Sequence, residues 1–572
     1  MRISSQRPAS YFVPDRVQGN SLRYGLNLAS KLSDGLKFAS TQPVIASNGY
    51  FAKREVFDAN FERVLQAVND YWVREMKNTG KRLPVLLGMD DTPDAKRLHE
   101  KAVNFFKKQG LDVYTYQSRK YGLLPLPIGV LAHTVKHFKE LNQRDKAVCG
   151  GLMISNGSRS MEINGLRFIN PNGAFFTHAQ IRQLNHLVKQ PQNLSMSNQK
   201  GEEKPLYYFQ PAYPCHLKKV LNLNKLKTWI PSIFYSPMQG AAKDMFDTAL
   251  EPWVKKFTTV QDGYDKSFTI ERFTEGRNLR DKNLKSLKNE IFQWQAGSKI
   301  GLANNGDAGT IRVLDEEGAV IPPAFLASLL LQHQVENKKA YGIIVKTQDT
   351  SALIDEVARF YGLKVYEVPV GFQHVSQFIQ QNKDATLLGL DSQGGLTSLG
   401  QSPVNDGLFS NFRVLEMLSY WKEKPIKLLK KMLDKLPVVI HSSQFKIKSN
   451  HPEKIMEFFK SLATSYRPIG YFRIDIRRSQ KQLEDAKRHY GINGSEVKIF
   501  FKDDSWLLAR RRSSNPFIID LWVETLKDKR QISWKTRDLG LNRHNNLIER
   551  LEERMRQRIG AHLFEQESVN PN

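Results

Sequence analysis

The stretch that decides the fold is Gly342–Phe372, which reads GIIVKTQDTSALIDEVARFYGLKVYEVPVGF. An apolar run opens it, an amphipathic stretch follows, and a second apolar run lies near its end. The first third of the chain shows the same alternation: RLPVLLGMD, DVYTY and CGGLMIS are predicted strands, separated by the predicted helices PDAKRLHEKAVNFFKKQG and LPIGVLAHTVKHFKEL. Strands that alternate with helices are typical of α/β layers, so we predict an α/β fold.

Changes in composition divide the chain into several units. A stretch rich in Gln, Asn, Ser and Lys, 187–205, is predicted to connect two domains. From about residue 438 the pattern differs, with a helix, two strands and a final helix of alternating acidic and basic residues. The predicted units are an N-terminal extension (1–29), domain I (30–186), the linker (187–205), domain II (206–320), domain III (321–437), domain IV (438–525) and a C-terminal helical extension (526–572).

Composition limits the class of protein. A chain of 572 residues is too long for one core. No apolar run is long enough for a membrane span, and the opening residues lack the apolar core of a signal peptide. Two cysteines, Cys149 and Cys215, provide no disulfide framework and no zinc pattern. We therefore expect a cytoplasmic protein.

The chain is strongly basic, with 85 Lys and Arg against 58 Asp and Glu and a net charge of +27. Such a charge suits a nucleic acid or another polyanion. The excess is spread along the whole chain, however, and no known nucleic-acid motif accompanies it. This distribution favours solvated surfaces over a nucleic-acid interface.

Two long motifs resemble the α-D-phosphohexomutase family, which contains phosphoglucomutases and phosphomannomutases. Gly342–Phe372 is similar to the family's Tyr-Gly-Leu-x-Val-Tyr-Glu-Thr-Pro-Val-Gly-Phe pattern, and Tyr235–Met245, YSPMQGAAKDM, resembles its Asp-Pro-Met-His-Gly-Ala-Gly turn. The resemblance covers about residues 30 to 525. It implies three similar α/β domains and a C-terminal α+β (TBP-like) domain around a central cleft, and an intramolecular phosphotransferase that uses a phosphoserine and Mg²⁺.

The loop that resembles the phosphoserine loop has lost its serine. Gly151–Gly165 reads GLMISNGSRSMEING, and Gly157 stands where the family carries phosphate on serine. Glycine has no side-chain oxygen and cannot be the covalent carrier. Ser158, one position further on, and Ser155 are the alternative nucleophiles.

The loop that resembles the family's metal loop has also changed. In Leu302–Arg312, LANNGDAGTIR, the three carboxylate positions hold Asn305, Asp307 and Gly309. A hard cation such as Mg²⁺ prefers several oxygen ligands, and one carboxylate remains here. We therefore expect no metal cofactor.

The family's sugar-binding loop corresponds to Leu390–Gly395, where Asp391 and Ser392 are the candidate sugar contacts. Upstream, Gln373 replaces a family lysine. The N-terminal family motif also loses its arginine, since the corresponding residues 38–44 read FASTQPV.

The loop that resembles the family's phosphate loop keeps more of its chemistry. The candidate phosphate-binding residues are Arg510, Arg512, Ser513 and Ser514. Guanidinium groups and small hydroxyl residues suit phosphate.

Taken together, the residues favour a phosphohexomutase-family protein of carbohydrate metabolism that is catalytically inactive and has a binding or regulatory role. A sugar phosphate, another anion or a protein partner would be its ligand. One alternative is a divergent active mutase that uses Ser158 or Ser155. The other is a basic scaffold that binds a polyanion or a protein.

Overall fold

The structure is a computed structural model that describes residues 43–46, 49–118, 122–141, 147–207, 209–227, 229, 231–254, 257–260, 279–295, 297–382, 386–469, 471–490, 495–512, 517–528, 537–559 and 565–569. These residues belong to one compact unit, Pro43–Asn572. The predicted N-terminal extension, 1–29, lies outside the described residues.

The first domain is a mixed sheet with helices. Its strands are β1 (Tyr50–Lys53), β2 (Val85–Met89), β3 (Val113–Ser118), β4 (Gly122–Leu123), β5 (Gly151–Ile154), β6 (Ile163–Ile169) and β7 (Glu203–Leu206). Its helices are α1 (Arg54–Thr79), α2 (Ala95–Lys108), α3 (Ile128–Lys136), α4 (Phe138–Leu141) and α5 (His178–Lys189). The strand order is β1-β6-β5-β2-β3-β4, and β7 pairs with β3.

Both faces of this sheet are covered, which explains the continuous apolar runs in its strands. Strand β2 is buried along its whole length. Successive residues of a strand point to opposite faces, so Leu86 packs in the core that contains α3, whereas Val85 and Leu87 pack in the core that contains α1 and α2.

The predicted linker, 187–205, is folded against the first domain. Its last residues form β7, which pairs in parallel with β3. The segment before β7 is held by Asp70 of α1, a fully buried side chain that accepts hydrogen bonds from the backbone N–H groups of Gln192, Asn193 and Leu194 at 2.7, 3.2 and 2.8 Å. The polar composition reflects this folded return path, and the first domain extends to Leu206.

The second domain has a five-stranded sheet. Its strands are β8 (Ser232–Ser236), β9 (Phe257–Thr259), β10 (Lys299–Asn304), β11 (Ile311–Leu314) and β12 (Val320–Ile321), and its helices are α6 (Phe209–Val220), α7 (Met245–Leu250) and α8 (Lys285–Gln293). The strand order is β12-β11-β10-β8-β9. The predicted boundary at 320 and 321 falls inside β12, which pairs with β11, so this domain ends at Ile321.

The third domain has a four-stranded sheet in the order β14-β13-β15-β16. The strands are β13 (Ile343–Thr347), β14 (Lys364–Val368), β15 (Thr386–Leu390) and β16 (Leu396–Ser398). The helices are α9 (Pro323–Glu336), α10 (Leu353–Phe360), α11 (Phe372–Gln381), α12 (Gly407–Trp421) and α13 (Pro425–Lys435). Helix α12 is buried from Gly407 to Ser419 because it packs at the centre of the core shared by the first three domains.

The fourth domain has strands β17 (Val438–Lys448), β18 (Glu496–Phe500), β19 (Trp506–Arg511), β20 (Ile518–Asp528) and β21 (Glu565–Val569), and helices α14 (Pro452–Ala463), α15 (Ile476–Tyr490) and α16 (Arg537–Ile559). The strand order is β18-β19-β20-β17-β21. The four sheets confirm the predicted α/β fold with a distinct last domain.

The predicted C-terminal helical extension, 526–572, contains helix α16 and packs on the fourth domain. Helix α16 buries Leu547, Leu551 and Met555 in the core of that domain, and β21 pairs with β17. The acidic and basic residues alternate on the helix as a whole, but these three apolar residues recur with helical spacing and face the sheet. The fourth domain therefore continues through β21.

Candidate functional site

The loop between β5 and β6 contains the first group of candidate residues. Gly157 adopts a left-handed conformation, with φ of +65°, which glycine tolerates without steric cost. The hydroxyl of Ser155 accepts a hydrogen bond from the Gly157 N–H at 2.9 Å and donates one to Asp90 Oδ2 at 2.8 Å. Ser155 is 1% exposed, so this alternative nucleophile is buried and stabilises the turn.

Ser158 lies next to the degenerate metal loop. Its Oγ accepts a hydrogen bond from Asn305 Nδ2 at 2.7 Å, and the residue is partly exposed. In contrast to Ser155, this serine is accessible. No described carboxylate or histidine is seen to accept a hydrogen bond from its hydroxyl, as a general base would.

The metal loop, which follows β10, surrounds its carboxylate with hydrogen-bond donors. Asp307 is fully buried. Its Oδ1 accepts hydrogen bonds from Asn305 Nδ2 at 2.6 Å and from the Gly309 N–H at 3.1 Å. Its Oδ2 lies 3.0 Å from Nη1 of Arg167, on β6.

This donor set does not fit a divalent cation. Mg²⁺ requires oxygen ligands in octahedral geometry, whereas the atoms that face Asp307 are an amide nitrogen, a backbone N–H and a guanidinium. A Cβ on Gly309 would lie 2.5 Å from Asn405 Nδ2, so no carboxylate fits there without rearrangement. Within the described residues, no group of three or more His, Cys, Asp and Glu side chains is arranged to hold a metal.

A second arginine completes this part of the site. The guanidinium of Arg159 stacks on the ring of Phe51, 3.4 Å from its centroid. Burial, together with the positive charge of Arg167, lowers the pKa of Arg159 to about 9. Removal from water disfavours the charged form of the guanidinium, and the nearby Asp307 offsets only part of this effect.

The sugar-loop residues lie beside the metal loop. Thr310 forms an antiparallel bridge with Gly395, and the Ile311 N–H donates to the Gly394 carbonyl at 3.0 Å. Arg312 Nη1 donates to the carbonyl of Gln393 at 2.7 Å. The two loops are therefore fixed to each other by backbone contacts.

Asp391 and Ser392, the predicted sugar contacts, make hydrogen bonds inside the protein. Asp391 Oδ1 accepts from the N–H groups of Gln393 and Gly395 at 2.9 and 2.8 Å, and Ser392 Oγ donates to Asp349 Oδ2 at 2.6 Å. Burial, with the charge of Asp349, raises the pKa of Asp391 to about 7. Their contact with a sugar remains a prediction.

The phosphate loop lies at the end of β19. Arg510 Nε is 3.2 Å from Glu496 Oε1, and Glu496 Oε2 accepts a hydrogen bond from the Val370 N–H at 3.1 Å. Burial raises the pKa of Glu496 to about 7. Arg510 is partly exposed and lies near His374 of α11, whose pKa is lowered by burial, by His178 and by Arg510.

Arg512, a predicted phosphate ligand, pairs with a carboxylate of the protein. Its Nε and Nη2 lie 2.7 and 2.5 Å from the two carboxylate oxygens of Asp520 on β20. Because this guanidinium fork already binds a carboxylate, we do not include Arg512 among the proposed phosphate ligands. Ser513 and Ser514 lie outside the described residues.

A series of contacts links the four predicted segments. Gly157 lies beside Asp307, and the metal loop is bridged to the sugar loop. In the sugar loop, Ser392 donates a hydrogen bond to Asp349. The charge of Asp349 also acts on Glu496, which pairs with Arg510. Sequence reasoning missed the residues that connect them, namely Arg159, Arg167, Asp349, Glu496 and His374. Arg159 was visible in the loop itself, two positions after Gly157. The remaining four carry no local signal.

The fold and site define an α/β protein with the loop arrangement of a sugar-phosphate mutase, and comparisons with known proteins agree. The model for phosphoglucomutase/phosphomannomutase α/β/α domain I matches residues 49–195, and the model for domain III matches residues 323–436. A probable phosphoglucosamine mutase of Methanosphaera stadtmanae is 24% identical over 442 residues, which cover 77% of this chain and 86% of that protein. A phosphoglucomutase/phosphomannomutase of Thermococcus kodakarensis is 23% identical over 446 residues, 77% of this chain and 86% of its own.

Solved structures show the same fold. Parafusin, an exocytosis-sensitive phosphoprotein and phosphoglucomutase of Paramecium in an open form, superposes with a TM-score of 0.71 at 15% identity, covering 91% of this chain and 97% of parafusin. A putative phosphomannomutase of Thermus thermophilus gives a TM-score of 0.64 at 17% identity, with 89% and 100% covered. The two domain models, the relatives and the solved structures all support a resemblance of this chain to the α-D-phosphohexomutase superfamily.

In the part of the chain that the structure describes, no helix combines the length and the apolar character needed to cross a bilayer.

Proposed function

We propose that this protein is a phosphohexomutase-family protein that does not interconvert hexose phosphates and that binds a phosphorylated sugar in a binding or regulatory role. The observation that carries the proposal is the loop at Gly157. It has no side-chain oxygen at the carrier position, and the buried hydroxyl of Ser155 is held by Asp90 and the Gly157 backbone. A phosphoryl group therefore has no carrier residue at the family position.

The metal loop supports the same proposal. Phosphoryl transfer in this family depends on a divalent cation, and a cation of this kind stabilises the charge of the transferred group. Here Asp307 faces the guanidinium of Arg167 and the amide of Asn305. We infer that the protein uses no Mg²⁺.

Ligand binding is supported by the groups that remain. Arg510 is a partly exposed guanidinium, and Asp391 is a carboxylate at the position of the family's sugar loop. An arginine binds phosphate through paired N–H donors, and a carboxylate accepts hydrogen bonds from sugar hydroxyl groups. These groups are on different domains, so a ligand bound to both would bridge the third and fourth domains.

The first prediction concerns turnover. A coupled assay of glucose and mannose 1-phosphates, with bisphosphate activator and Mg²⁺, is expected to show no conversion above background for the wild-type protein. Gly157→Ser is expected to remain inactive, because a Cβ at this position would lie 2.7 Å from Arg167 Nη2 and the metal loop would still lack its carboxylates.

The alternative to this prediction is that the accessible hydroxyl of Ser158 carries the phosphoryl group. Robust wild-type turnover that is lost in Ser158→Ala would establish a divergent active mutase and refute the proposed function. Ser160→Ala is the matched control, because Ser160 is a partly exposed serine in the same loop. Intact-mass analysis of the purified protein would show directly whether any serine carries phosphate.

A binding experiment separates a sugar-phosphate site from a general basic surface. Titration calorimetry with glucose 6-phosphate is expected to show binding that Arg510→Ala weakens. Binding of a DNA oligonucleotide that falls steeply with salt, together with no effect of Arg510→Ala, would favour the polyanion scaffold.

A further inference from the structure

Two tyrosines of the fourth domain are almost completely exposed. Tyr466 is 92% exposed and Tyr471 is 81% exposed, the highest values among the large apolar side chains that the structure describes. Both lie in the connection between α14 and α15. An aromatic ring gains most of its stabilisation from burial, so two exposed rings in one short connection indicate a surface that contacts a partner.

The connection is anchored on both sides of Tyr471. Ile469 and Phe472 form an antiparallel bridge, with N–H to carbonyl distances of 2.9 Å in both directions, and both side chains are buried in the core of the fourth domain. Successive residues of an extended segment point in opposite directions. Because Phe472 and Ile474 are buried, Tyr471 and Arg473 are turned outwards. The exposed ring at 471 is therefore held in a fixed position beside an exposed arginine.

Arginines of α16 also contact this connection. Arg554 donates a hydrogen bond to the backbone carbonyl of Pro468, and Arg558, one turn further along α16, donates to Ser461 Oγ of α14 at 3.2 Å. Arg467 is an exposed residue of the connection itself. Burial, with the positive charges of Arg558 and Arg467, lowers the pKa of Arg554. The three guanidinium groups are therefore close enough to act on one another.

These arginines have little anionic compensation. Within the described residues, Arg467, Arg554 and Arg558 form no ion pair, and the same holds for Arg473. The carboxylate of Glu553 acts on Arg554, but it pairs with Arg550 at 3.0 Å. We call the two tyrosines and the four arginines the aromatic-basic surface, which consists of Tyr466, Arg467, Tyr471, Arg473, Arg554 and Arg558. Positive charge that is spread along the sequence is concentrated here by the fold, as binding of a polyanion requires.

We propose that the aromatic-basic surface binds single-stranded nucleic acid, with the tyrosines stacked on bases and the arginines in contact with phosphates. Stacking on aromatic rings and contacts between arginine and phosphate are the two interactions by which proteins hold single strands. In a duplex the bases stack on each other, so their faces are not free for a tyrosine ring. A membrane surface would favour a wide apolar face next to the basic residues, whereas the exposed apolar side chains described here are the two tyrosines.

The aromatic-basic surface is separate from the proposed sugar-phosphate site. Ala509 of β19 packs in the same core as Ile469 and Phe472. The next residue, Arg510, is turned to the other face of the sheet, where it pairs with Glu496. Binding of nucleic acid therefore goes beyond the proposed function, and neither depends on the other.

Fluorescence anisotropy of the full chain tests the inference with an oligonucleotide of about 16 nucleotides, supplied as single-stranded RNA, single-stranded DNA and duplex DNA. Both single strands are expected to bind more tightly than the duplex, and the tighter of the two identifies the preferred sugar. Tyr466→Ala and Tyr471→Ala should each weaken single-strand binding by about fivefold to 100-fold, because a stacked base is lost. Tyr471→Phe keeps the ring and should bind like the wild type.

Tyr341→Ala is the matched control for the tyrosine variants, because it removes a 70% exposed tyrosine of the third domain. It is expected to leave the affinity unchanged. Equal binding of duplex and single strands would overturn the inference, and so would wild-type affinity in the double variant Tyr466→Ala/Tyr471→Ala.

Salt dependence tests the arginines. In Arg467→Gln and Arg558→Gln, the slope of log affinity against log salt concentration is expected to fall by about 0.7 for each lost phosphate contact. Arg182→Gln, which removes an exposed arginine of α5, is the matched control. An unchanged slope in both variants would show that these arginines do not contact phosphates and would contradict the inference.

Two further measurements distinguish other partners and the other site. Sedimentation with phosphatidylserine vesicles that Tyr466→Ala abolishes, together with no oligonucleotide binding, would assign the surface to a membrane and refute the inference. Arg510→Ala should weaken glucose 6-phosphate binding and leave oligonucleotide affinity unchanged, whereas Tyr471→Ala should have the reverse effects. If Arg510→Ala weakens oligonucleotide binding as much as the tyrosine variants do, the nucleic acid binds at the cleft and the inference fails.

Discussion

At the scale of single residues, Arg167 provides a fixed cation beside the buried carboxylate of Asp307. Its Nη1 lies 3.0 Å from the fully buried Oδ2 of Asp307. A guanidinium keeps its charge at any physiological pH and needs no free metal in the cell. It also occupies space and directs its donors in fixed directions, so it can balance Asp307 but cannot coordinate a phosphoryl oxygen as a Lewis acid.

The residue-scale prediction follows from this pairing. Arg167→Gln is expected to destabilise the protein by about 3 kcal/mol, because it leaves a buried carboxylate without its cation. The double variant Arg167→Gln/Asp307→Asn should recover most of that loss, since both charges are then absent. Urea unfolding of the wild type, the two single variants Arg167→Gln and Asp307→Asn, and the double variant measures the coupling between the two residues.

Magnesium provides the control for this cycle. Adding MgCl₂ is expected to leave the melting temperature of the wild type unchanged, because ligands that bind the folded state raise it and this loop has no fitting donor set. A rise in the wild-type melting temperature, with saturation, would show that Asp307 holds a metal and that Arg167 is not its replacement.

Single residues also show what the sequence could predict about the site. The losses at Gly157, Asn305 and Gly309 were predictable because the absence of an oxygen or a carboxylate is a property of the residue itself. The role of Arg167 was not predictable, because it depends on the pairing of β5 with β6, which sets Arg167 opposite Met153 and brings its side chain towards Asp307. The pairing of Arg512 with Asp520 was not predictable for the same reason, since Asp520 lies on the neighbouring strand.

At the scale of elements, helices α3 and α6 pack through a cluster of histidines. The ring of His133 on α3 lies 4.3 Å from that of His216 on α6 and 4.5 Å from that of His137, which follows α3. Burial, with the charges of the other two histidines and of Lys136, lowers the pKa of His133 to about 2. Burial and neighbouring cationic groups also lower the pKa of His216 to about 4.

This helix contact is expected to weaken in acid. The pKa of His133 is lowered from 6.5 to about 2 in the folded state, so between these values the unfolded chain binds one more proton than the folded chain. Its contribution is complete above pH 6.5 and is lost as pH falls below that value, by about 1.4 kcal/mol per pH unit. Urea unfolding at about pH 7, 6 and 5 should therefore show a shallower loss for His133→Phe than for the wild type.

His186 is the matched control for this prediction, because it is an exposed histidine on α5. His186→Phe should lose stability with falling pH as the wild type does. Identical pH dependence of all three proteins would show that His133 is protonated in the folded state and that the assigned contact is wrong.

The existence of most helices and strands was predictable, and their long-range pairing was not. Apolar runs such as VLLGM of β2 and the spacing of apolar residues in α2 are local signals, and both elements occur where they were predicted. Strand β7 reads EKPL and β21 reads EQESV, sequences with little apolar character. These strands are stabilised by pairing with β3 and β17, and a local pattern contains no information about such partners.

At the scale of the whole molecule, a buried lysine connects the fourth domain to the third. Lys498 on β18 is 1% exposed, and its Nζ donates to Glu367 Oε2 at 2.6 Å and to the carbonyl of Gln348 at 2.7 Å. Two backbone N–H groups of the third domain donate hydrogen bonds to carboxylates of the fourth domain. The Val370 N–H donates to Glu496 at 3.1 Å, and the Ala352 N–H donates to Glu524 at 2.7 Å. The interface therefore combines an apolar cluster that contains Val370 and Trp506 with buried polar contacts. Lys498 has these two oxygen partners only when the two domains are together.

Such an interface holds the domains in one arrangement more strictly than an apolar one would. An apolar contact tolerates sliding, whereas a buried ion loses several kcal/mol of stabilisation when its partner moves away. Because Glu496 also pairs with Arg510, the position of the fourth domain and the orientation of the proposed phosphate ligand depend on the same contact region. The resemblance of individual motifs gave the number of domains but not this connection between them.

The prediction at this scale is that Lys498→Met loosens the fourth domain without unfolding it. Methionine retains the apolar contacts with Trp506, above whose ring Nζ lies at 4.2 Å, but leaves Glu367 with a single cation, Lys346 at 3.6 Å. Hydrogen exchange at the N–H groups of Val370 and Ala352 is expected to accelerate at least tenfold. Sugar-phosphate binding is expected to weaken. The far-ultraviolet circular dichroism is expected to stay unchanged. Lys502→Met, an exposed lysine two residues after the end of the same strand, should change none of these measurements. Unchanged exchange at both N–H groups in Lys498→Met would show that apolar packing alone positions the domain, and Arg510 would then be oriented independently of this lysine.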